Sequence, residues 1–306
     1  MRISVLDLGS HSFHLLSAEV RDGALKPLAD AKVAVRIGER AFTEGWIPQS
    51  AVARGLQAIE ELIAPLGGRV PLAVATAVFR EARNAGAFLG EVQRRCGIDV
   101  RILSGREEAE LTYRAACAEV LDPDARLAVF DLGGGSLECM LGEHRRVEIA
   151  GSYPLGALRL AMHVGRADLV AGVERLVAAH AGATLEAIRR RDPELVVFTS
   201  GTARTLLRVA RTLGHAELVR GCISSAALSS LAGRLSTMTV AELSAIGVPA
   251  ARYDTIAAGA LVFSAITRHL DVPFVRIAQG ALREGLVLQV AERHERAASV
   301  PLTLHG

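Results

Sequence analysis

The sequence predicts an α/β protein built from two related halves, each a mixed sheet flanked by helices. Three observations carry that prediction. Strand-like runs alternate with helical ones along the chain. A motif near the N-terminus recurs past position 125. The 306 residues, half of them hydrophobic, suit two medium domains with substantial cores. The recurring stretches are "VLDLGSHSFHLLSA" from Val5 and "VFDLGGGSLECMLG" from Val129. With Asp7 set on Asp131, Gly9 meets Gly133, Ser12 meets Ser136 and His14 meets Glu138 without a gap. The repeat is too long and too degenerate for a solenoid. The break falls near "LDPDAR", where Pro123 and clustered acids interrupt the pattern, giving domains over residues 1–123 and 124–306.

In the first half the order reads β-β-β-α-β-α-β-α. The motif supplies a hairpin, and "ALKPLADAKVAVRIG" a third strand. "SAVARGLQAIEELIAPLGG" places Val52, Leu56, Ile59, Leu62, Ile63 and Leu66 at helical spacing and stops on glycine. "VPLAVAT" is a buried-strand run leading into a polar turn and the helix "AVFREARNAGAFL". "DVRILS" is a strand and "GREEAELTYRAACAEVL" a helix. In the second half "RRVEIAGSYPLG" takes the place of the third strand. "ELVVFTSGTARTLLRVARTLG" reads strand, turn at Gly201, helix and glycine stop. "TVAELSAI" opens on a capping box, Thr239 with Glu242. "ARYDTIAAGALVFSAITRHL" is a long helix and "PFVRIA" a strand. "ALREGLVLQVAERHERA" is a closing helix from about residue 282, expected to pack back on the first domain.

Composition narrows the function classes. A net charge of +2 is too mild to announce a nucleic-acid partner. Cys96, Cys117, Cys139 and Cys222 lie far apart, with no C-x-x-C pair and no disulfide framework. The first apolar segment contains Asp7 and lacks a signal-peptide cleavage pattern. The longest apolar stretch, "TIAAGALVFSAI", falls short of the roughly 18 residues that suggest a membrane span. A soluble, cytoplasmic protein is expected, with no membrane partner. No Cys/His pairing marks a structural zinc, and neither G-x-S-x-G nor a Walker sequence occurs.

Three stretches carry chemistry. In "DLGGGS", Gly133, Gly134 and Gly135 lack Cβ atoms, so their backbone can approach a phosphate and present N–H donors. Ser136 adds a hydroxyl, and Asp131 at the strand end can hold Mg²⁺ directly or through water. "DLGSHS" offers the same elements in Asp7, Gly9, Ser10 and Ser12. One copy alone reads as a hairpin with glycines at positive φ. Two copies facing each other across a domain boundary favour a phosphate clamp. In "SGREEAEL", Ser104 and Glu107 fit a capping box, and acids in a first helical turn also complement the helix dipole. Glu108 is left over by that account, which makes it the candidate general base. Among basic residues, Arg80 and Arg83 follow the "VATAVFREA" strand, Arg204 follows "SGT" and Arg283 lies in "GALREGL". Arginines beside strand–turn junctions line clefts and chelate phosphate oxygens. The "RRR" at 189–191 reads as a solvated helix face, and Gly201 with Thr202 at a helix N-terminus as an anion-ready spot.

Seven segments in order, "VLDLGSHSFHLL", "ATAVFREARNAGAFL", "ILSGREEAELTY", "VFDLGGGSLE", "SYPLGALRL", "SGTARTL" and "ALREGL", make the chain resemble the exopolyphosphatase/guanosine pentaphosphate phosphohydrolase (Ppx/GppA) family. That family lies within the actin-like and sugar-kinase-like superfamily. The resemblance implies two duplicated ribonuclease H-like (actin-like ATPase) domains with the active site in the interdomain cleft. It assigns Glu108 as the base, and Asp131 and Glu138 as acids that bind metal and orient water, with Asp7 beside them. Gly133, Gly134, Gly135 and Ser136 become one phosphate loop, and Asp7, Gly9 and Ser10 the other. Arg80 becomes a contact to the phosphate chain. The implied cofactor is Mg²⁺, with Mn²⁺ as the alternative. The implied substrate is inorganic polyphosphate, with guanosine pentaphosphate as the alternative; a homodimer is left open. His11 departs from the family's usual Asn, and an imidazole there can titrate near neutral pH. Within the family the chain resembles the short two-domain members rather than those expected to carry a C-terminal histidine–aspartate-type helical domain. Two rivals remain: a kinase of the same superfamily, weakened by the single glycine of "SGTART", and a non-catalytic polyphosphate or alarmone sensor, which His11 supports.

Overall fold

The computed structural model describes residues 1–21, 23–120, 122, 124–214 and 221–298. The first half runs β1 (Arg2–Leu8), β2 (Ser12–Arg21), β3 (Ala24–Ala34), α1 (Gly38–Glu44), α2 (Gln49–Ile63), β4 (Leu72–Ala75), α3 (Ala77–Glu81), α4 (Ala85–Cys96), β5 (Val100–Ile102) and α5 (Gly105–Ala118). The second runs β6 (Leu127–Leu132), β7 (Leu137–Glu143), β8 (Arg146–Tyr153), α6 (Ala157–His163), α7 (Leu169–Arg189), β9 (Leu195–Thr199), α8 (Gly201–Thr212), β10 (Cys222–Ser224), α9 (Ser225–Thr237), α10 (Val240–Ala245), α11 (Ile256–Leu270), β11 (Phe274–Ile277) and α12 (Leu282–Ala298). No helix among the described residues is long and apolar enough to cross a membrane. Residues 121 and 123, in the stretch where the domain break was placed, lie outside the described residues.

The two sheets share one topology. The first has the order β3-β2-β1-β4-β5, and the second β8-β7-β6-β9-β11 with the short β10 added at its edge. In each, three strands form an antiparallel meander and the next two join in parallel. These are two ribonuclease H-like sheets, and the alignment read from the sequence is their structural alignment. Asp7 sits opposite His14 as Asp131 sits opposite Glu138. The Gly9 amide donates to Ser12 O at 3.2 Å, and the Gly133 amide to Ser136 O at 3.0 Å.

Local signals set most element ends. Ser104 and Glu107 form the expected reciprocal capping box on α5, as do Thr239 and Glu242 on α10. The α2 stripe buries Leu56, Ile59 and Leu62 and ends in a short 3₁₀ turn before Gly67. α11 begins at Ile256, later than the sequence pattern implied, and is buried on every side from Ile256 to Thr267. The expected helix over "AVFREARNAGAFL" is broken into α3 and α4 at Ala82–Asn84. There the Asn84 side chain bridges Ile47 N (2.9 Å) and Ile47 O (2.8 Å), pinning the loop after α1.

The halves trade helices. α5 lays Ala109, Tyr113, Ala116 and Cys117 on Val129, Met140 and Val197 of the second sheet. α12 lays Leu282, Leu286, Val287 and Ala291 on Ile3, Val5 and Leu16 of the first. The two helices cross where Gly285 meets Leu111, so closely that a Cβ on Gly285 would stand 1.8 Å from Leu111 O. Gly285→Ala should therefore destabilise the protein by about 1–3 kcal/mol, the usual cost of overpacking. Gly182→Ala in α7, where a Cβ meets nothing within 4 Å, should be neutral or stabilising by up to ~1 kcal/mol. Urea unfolding of both variants beside the parent checks the contrast.

Candidate active site

β1 and β6 are central in their sheets, and both deliver an aspartate to a narrow pocket of about 150 Å³ between the halves. Cross-strand register then builds two equivalent rows. In the first sheet Asp7 is followed by His14 and Lys32; in the second Asp131 is followed by Glu138 and Ser152. Glu108 enters from the start of α5 and Arg283 from the start of α12. Of the residues named from the sequence, Asp7, Gly9, Ser10, Glu108, Asp131, Gly133, Gly134, Gly135, Ser136, Glu138, Gly201, Thr202, Arg204 and Arg283 all line this pocket.

The acids are crowded and dry. Glu108 is 6 % exposed and Glu138 2 %. Burial, with Glu138 nearby, pushes the Glu108 carboxyl well above the usual range despite the Arg80 guanidinium. Burial and Asp131 raise Glu138 to about 7. Asp7 and Asp131 are each lifted to about 6, chiefly by burial. Ser152 Oγ donates to Glu138 at 2.8 Å, and it fits beneath α5 because residue 105 is glycine; a Cβ there would lie 2.3 Å from Ser152 Cβ.

The opposite end is basic. Lys32, Arg204, Arg252 and Arg283 share the lining. Burial and the Arg252, Arg204 and Arg283 guanidiniums depress Lys32 to about 8. Burial and Arg204 lower Arg252 to about 10. Asp7 lies between the two ends, feeling Lys32 and Arg283 as well as Asp131, while Glu108 feels Glu138, Arg80 and Asp7. Arg283 is ion-paired with Asp30 at 2.8 Å, whereas Lys32, Arg204 and Arg252 have no ion pair among the described residues. A pocket with acids at one end and such cations at the other is shaped for an anion that also carries a cation.

The glycine turns touch rather than face each other across open space. A Cβ on Gly134 would stand 2.9 Å from His11 Cβ, and one on Gly135 2.7 Å from Ser10 Oγ. None of Gly9, Gly133, Gly134 or Gly135 has positive φ. For Gly9, Gly134 and Gly135 the requirement is for space, which corrects the hairpin reading. The carbonyls of Gly133 and Gly134 accept from the Ala157, Leu158 and Arg159 amides at 3.0 Å and so cap α6. The Gly134 and Gly135 amides donate to no group among the described residues. Asp7 Oδ1, Ser10 Oγ and His14 Nδ1 are likewise buried without partners. Such orphans cost free energy unless a ligand meets them.

Three residues behave differently from expectation. Arg80 is outside this pocket: it ion-pairs with Glu108 and donates to Leu103 O at 2.8 Å. At the start of α8, Ser200 Oγ takes the Thr202 and Ala203 amides at 3.1 Å, and the Arg252 guanidinium lies over Gly201, so that terminus is already occupied. His11 does not titrate near neutrality; burial and Arg252 depress it to about 4. Its Nε2 reaches Ala251 O at 2.9 Å, which fixes the N–H there and leaves Nδ1 to accept from Ser12 Oγ at 2.9 Å. The imidazole is a strut between the halves. Sequence reasoning missed Lys32, Arg252 and Ser152. Only the strand register could have flagged Lys32 and Ser152, as neighbours of His14 and Glu138.

The donors fit a hard divalent cation. They are carboxylate oxygens, and Asp7 Oδ1 is an orphan among them. Among the described residues no three His, Cys, Asp or Glu side chains form a closed metal cage. That suits an ion held by one or two carboxylates with water and phosphate oxygens completing its sphere.

The family described as "Ppx/GppA phosphatase family" matches residues 17–294. Exopolyphosphatase 1 of Mycobacterium tuberculosis (strain ATCC 25618 / H37Rv) is 34 % identical over 305 residues, covering 94 % of this chain and 88 % of that protein. Exopolyphosphatase 1 of Mycobacterium leprae (strain TN) is 33 % identical, with 94 % and 89 % covered. Among solved structures, an exopolyphosphatase from Cytophaga hutchinsonii superposes with a TM-score of 0.87 at 23 % identity, over 96 % of this chain and 98 % of that one. The Aquifex aeolicus Ppx/GppA family member gives 0.75 at 23 %, with the same coverage.

The crowded acids make a prediction about stability. Asp131 titrates near 6 in the folded protein and near ~3.9 when unfolded. The folded state therefore holds the extra proton between those values, and stability is lost as pH rises through about 6. His11, depressed to about 4, works in the opposite sense, losing stability as pH falls below its unfolded value of ~6.5. The comparison is thus between variant and parent at each pH. In chelator-treated buffer Asp131→Asn should be the more stable protein at pH 8, by up to about 3 kcal/mol at ~1.4 kcal/mol per pH unit. That advantage should vanish by pH 4, read as a difference in Tm.

Proposed function

The chain belongs to the Ppx/GppA phosphatase family, and from that premise we propose that it hydrolyses the terminal phosphoanhydride of inorganic polyphosphate, releasing orthophosphate. The carrying observation is the polarity of the pocket. A polyphosphate chain can lie along Lys32, Arg204 and Arg252 with its terminal phosphoryl group between Ser10 and the free Gly134 and Gly135 amides. Glu108 then stands at the far end, where a water attacking in line must arrive. Burial and nearby Glu138 raise its pKa, which makes its carboxylate a stronger proton acceptor. Arg80 fixes its orientation.

Asp131 would hold a divalent cation, with Asp7 or Glu138 reaching it directly or through water; the donor set favours Mg²⁺, with Mn²⁺ as the alternative. When bound, that ion supplies positive charge to the oxygens of the reacting phosphate. Ser152, through its hydrogen bond, keeps Glu138 directed into the pocket.

Polyphosphate ranks ahead of guanosine pentaphosphate because of space. The pocket's 150 Å³ is below the ~300–1,000 Å³ usual for sites that enclose a cofactor-sized ligand. Arg252 also fills the room over Gly201. Phosphate-release assays with polyphosphate of defined lengths and with guanosine pentaphosphate, run in parallel, test the ranking. A protein that binds polyphosphate without releasing phosphate would instead be a sensor.

Glu108→Gln should lower kcat roughly 10²–10⁴-fold while leaving the Kd for polyphosphate close to that of the parent. Arg252→Ala should do the reverse, raising KM with kcat largely kept, because its contact is made equally in ground and transition states. Steady-state kinetics with titration calorimetry on the two variants separates the roles.

A further inference from the structure

Beside the catalytic pocket lies a more open depression of about 570 Å³, lined by Arg80, Arg106, Ser136, Ser152 and Pro154 among others. The partition between the two is one side chain thick. Ser136 lines both. Glu108 faces the catalytic pocket, and its ion-pair partner Arg80 faces the depression. The Arg80 side chain is 24 % exposed against 8 % for that of Glu108, so Arg80 is the member of the pair that solvent reaches.

In-line transfer places the attacking water and the leaving group on opposite sides of phosphorus. With Glu108 directing the water, attack comes from the acidic end, and the shortened chain departs toward Lys32 and Arg252. The new orthophosphate then lies on the Glu108 side, with the chain between it and the basic mouth. We propose that orthophosphate leaves through the Arg80 depression, with Arg80 as its gate and Arg106 as the receiving cation, so that chain and product use separate openings. This rests on the polyphosphate reading above.

The chemistry frees the gate when it is needed. Water gives one proton to Glu108 and its hydroxyl to phosphorus. The bond to the chain breaks, and its electron pair stays on the chain's terminal oxygen. A neutral Glu108 holds Arg80 less tightly than a carboxylate does, just as a phosphate anion appears beside it. Chain retained on the basic end no longer has to dissociate before each product can escape.

Arg106 suits a test because it lies outside the catalytic pocket, is 69 % exposed, and bonds to Glu110 at 2.8 Å. Arg106→Glu would repel the departing anion, and Pro154→Trp, at an exposed rim position, would narrow the opening by bulk. After rapid mixing with polyphosphate, acid-quenched phosphate reports the cleavage step, and a phosphate-binding fluorescent sensor reports free product. Both variants should keep the parental single-turnover cleavage rate and kcat/KM. Free phosphate should lag behind quenched phosphate, and kcat should fall roughly tenfold as release becomes limiting. Free phosphate keeping pace with quenched phosphate in both variants would overturn the proposal. So would a rise in KM, which would place the chain in this opening. A parent protein that yields no quenched phosphate sinks the polyphosphate reading itself, a distinguishable failure.

Discussion

The site depends on the crossing of α5 and α12. Each helix ends one half of the chain, yet each packs on the other half's sheet. At Gly285 and Leu111 the two meet backbone to backbone. Contact that close leaves little freedom in axial position, so the starts of both helices are fixed relative to both sheets. Glu108 and Arg283 occupy those starts. A base from one helix and a cation from the other thereby reach a pocket whose acids come from β1 and β6. Two sheets side by side without the exchange would present the same aspartates with no defined partner above them.

What the crossing holds in place is electrostatically unfavourable. Glu108, Asp131, Asp7 and Glu138 are all shifted toward the neutral form by burial. Lys32 and Arg252 are shifted toward theirs by burial and by Arg204, and Lys32 by Arg252 as well. Acids and bases in the pocket cancel only in part: Arg283 and Arg204 pull Asp7 and Asp131 down, yet burial leaves both raised. Cores of apolar side chains on both faces of both sheets tolerate that cost. A polyanion on the basic end with a divalent cation at the acidic end relieves both, so substrate and metal should strengthen one another's binding.

Most of the fold was legible because its signals are local. Capping boxes, a helical stripe and a repeated strand–turn–strand motif each sit within a short window, and each appears where expected. The pairing of Asp7 with Asp131 was legible from the repeat. Subtraction made Glu108 a candidate, because Glu107 is committed to the cap, and the family resemblance carried the assignment; the structure places Glu108 in the pocket. The pairing of Arg80 with Glu108 was not legible, because a strand-end arginine reads equally well as a phosphate ligand or as a partner for a carboxylate on another helix. Lys32 and Arg252 were invisible for a related reason. Neither lies in a motif, and each matters only through distances set by strand register and by the loop before α11. His11 shows the limit of reasoning from side-chain type, since an imidazole with a carbonyl on one nitrogen and a hydroxyl on the other is a spacer at neutral pH.

The polarity of the pocket follows from small departures within a duplicated frame. Both sheets carry an aspartate on the central strand, and the residues opposite it on the next two strands fall in the same register. In the first half those positions hold His14 and Lys32; in the second they hold Glu138 and Ser152. Were the halves identical, the cleft would be symmetric, and a phosphate chain would have no reason to enter in one direction. With a cation in one row and an acid in the other, the field runs along the cleft. Under the proposed function the chain is drawn to the Lys32 side and the water to the side of Glu138 and Glu108. The same substitution places the hydroxyl of Ser152, and with it the wall beside Arg80, at the acidic end. The differing residues of these two rows, together with Arg204 and Arg252, thus supply what the proposed hydrolysis needs: an attacking side, a leaving side and a direction.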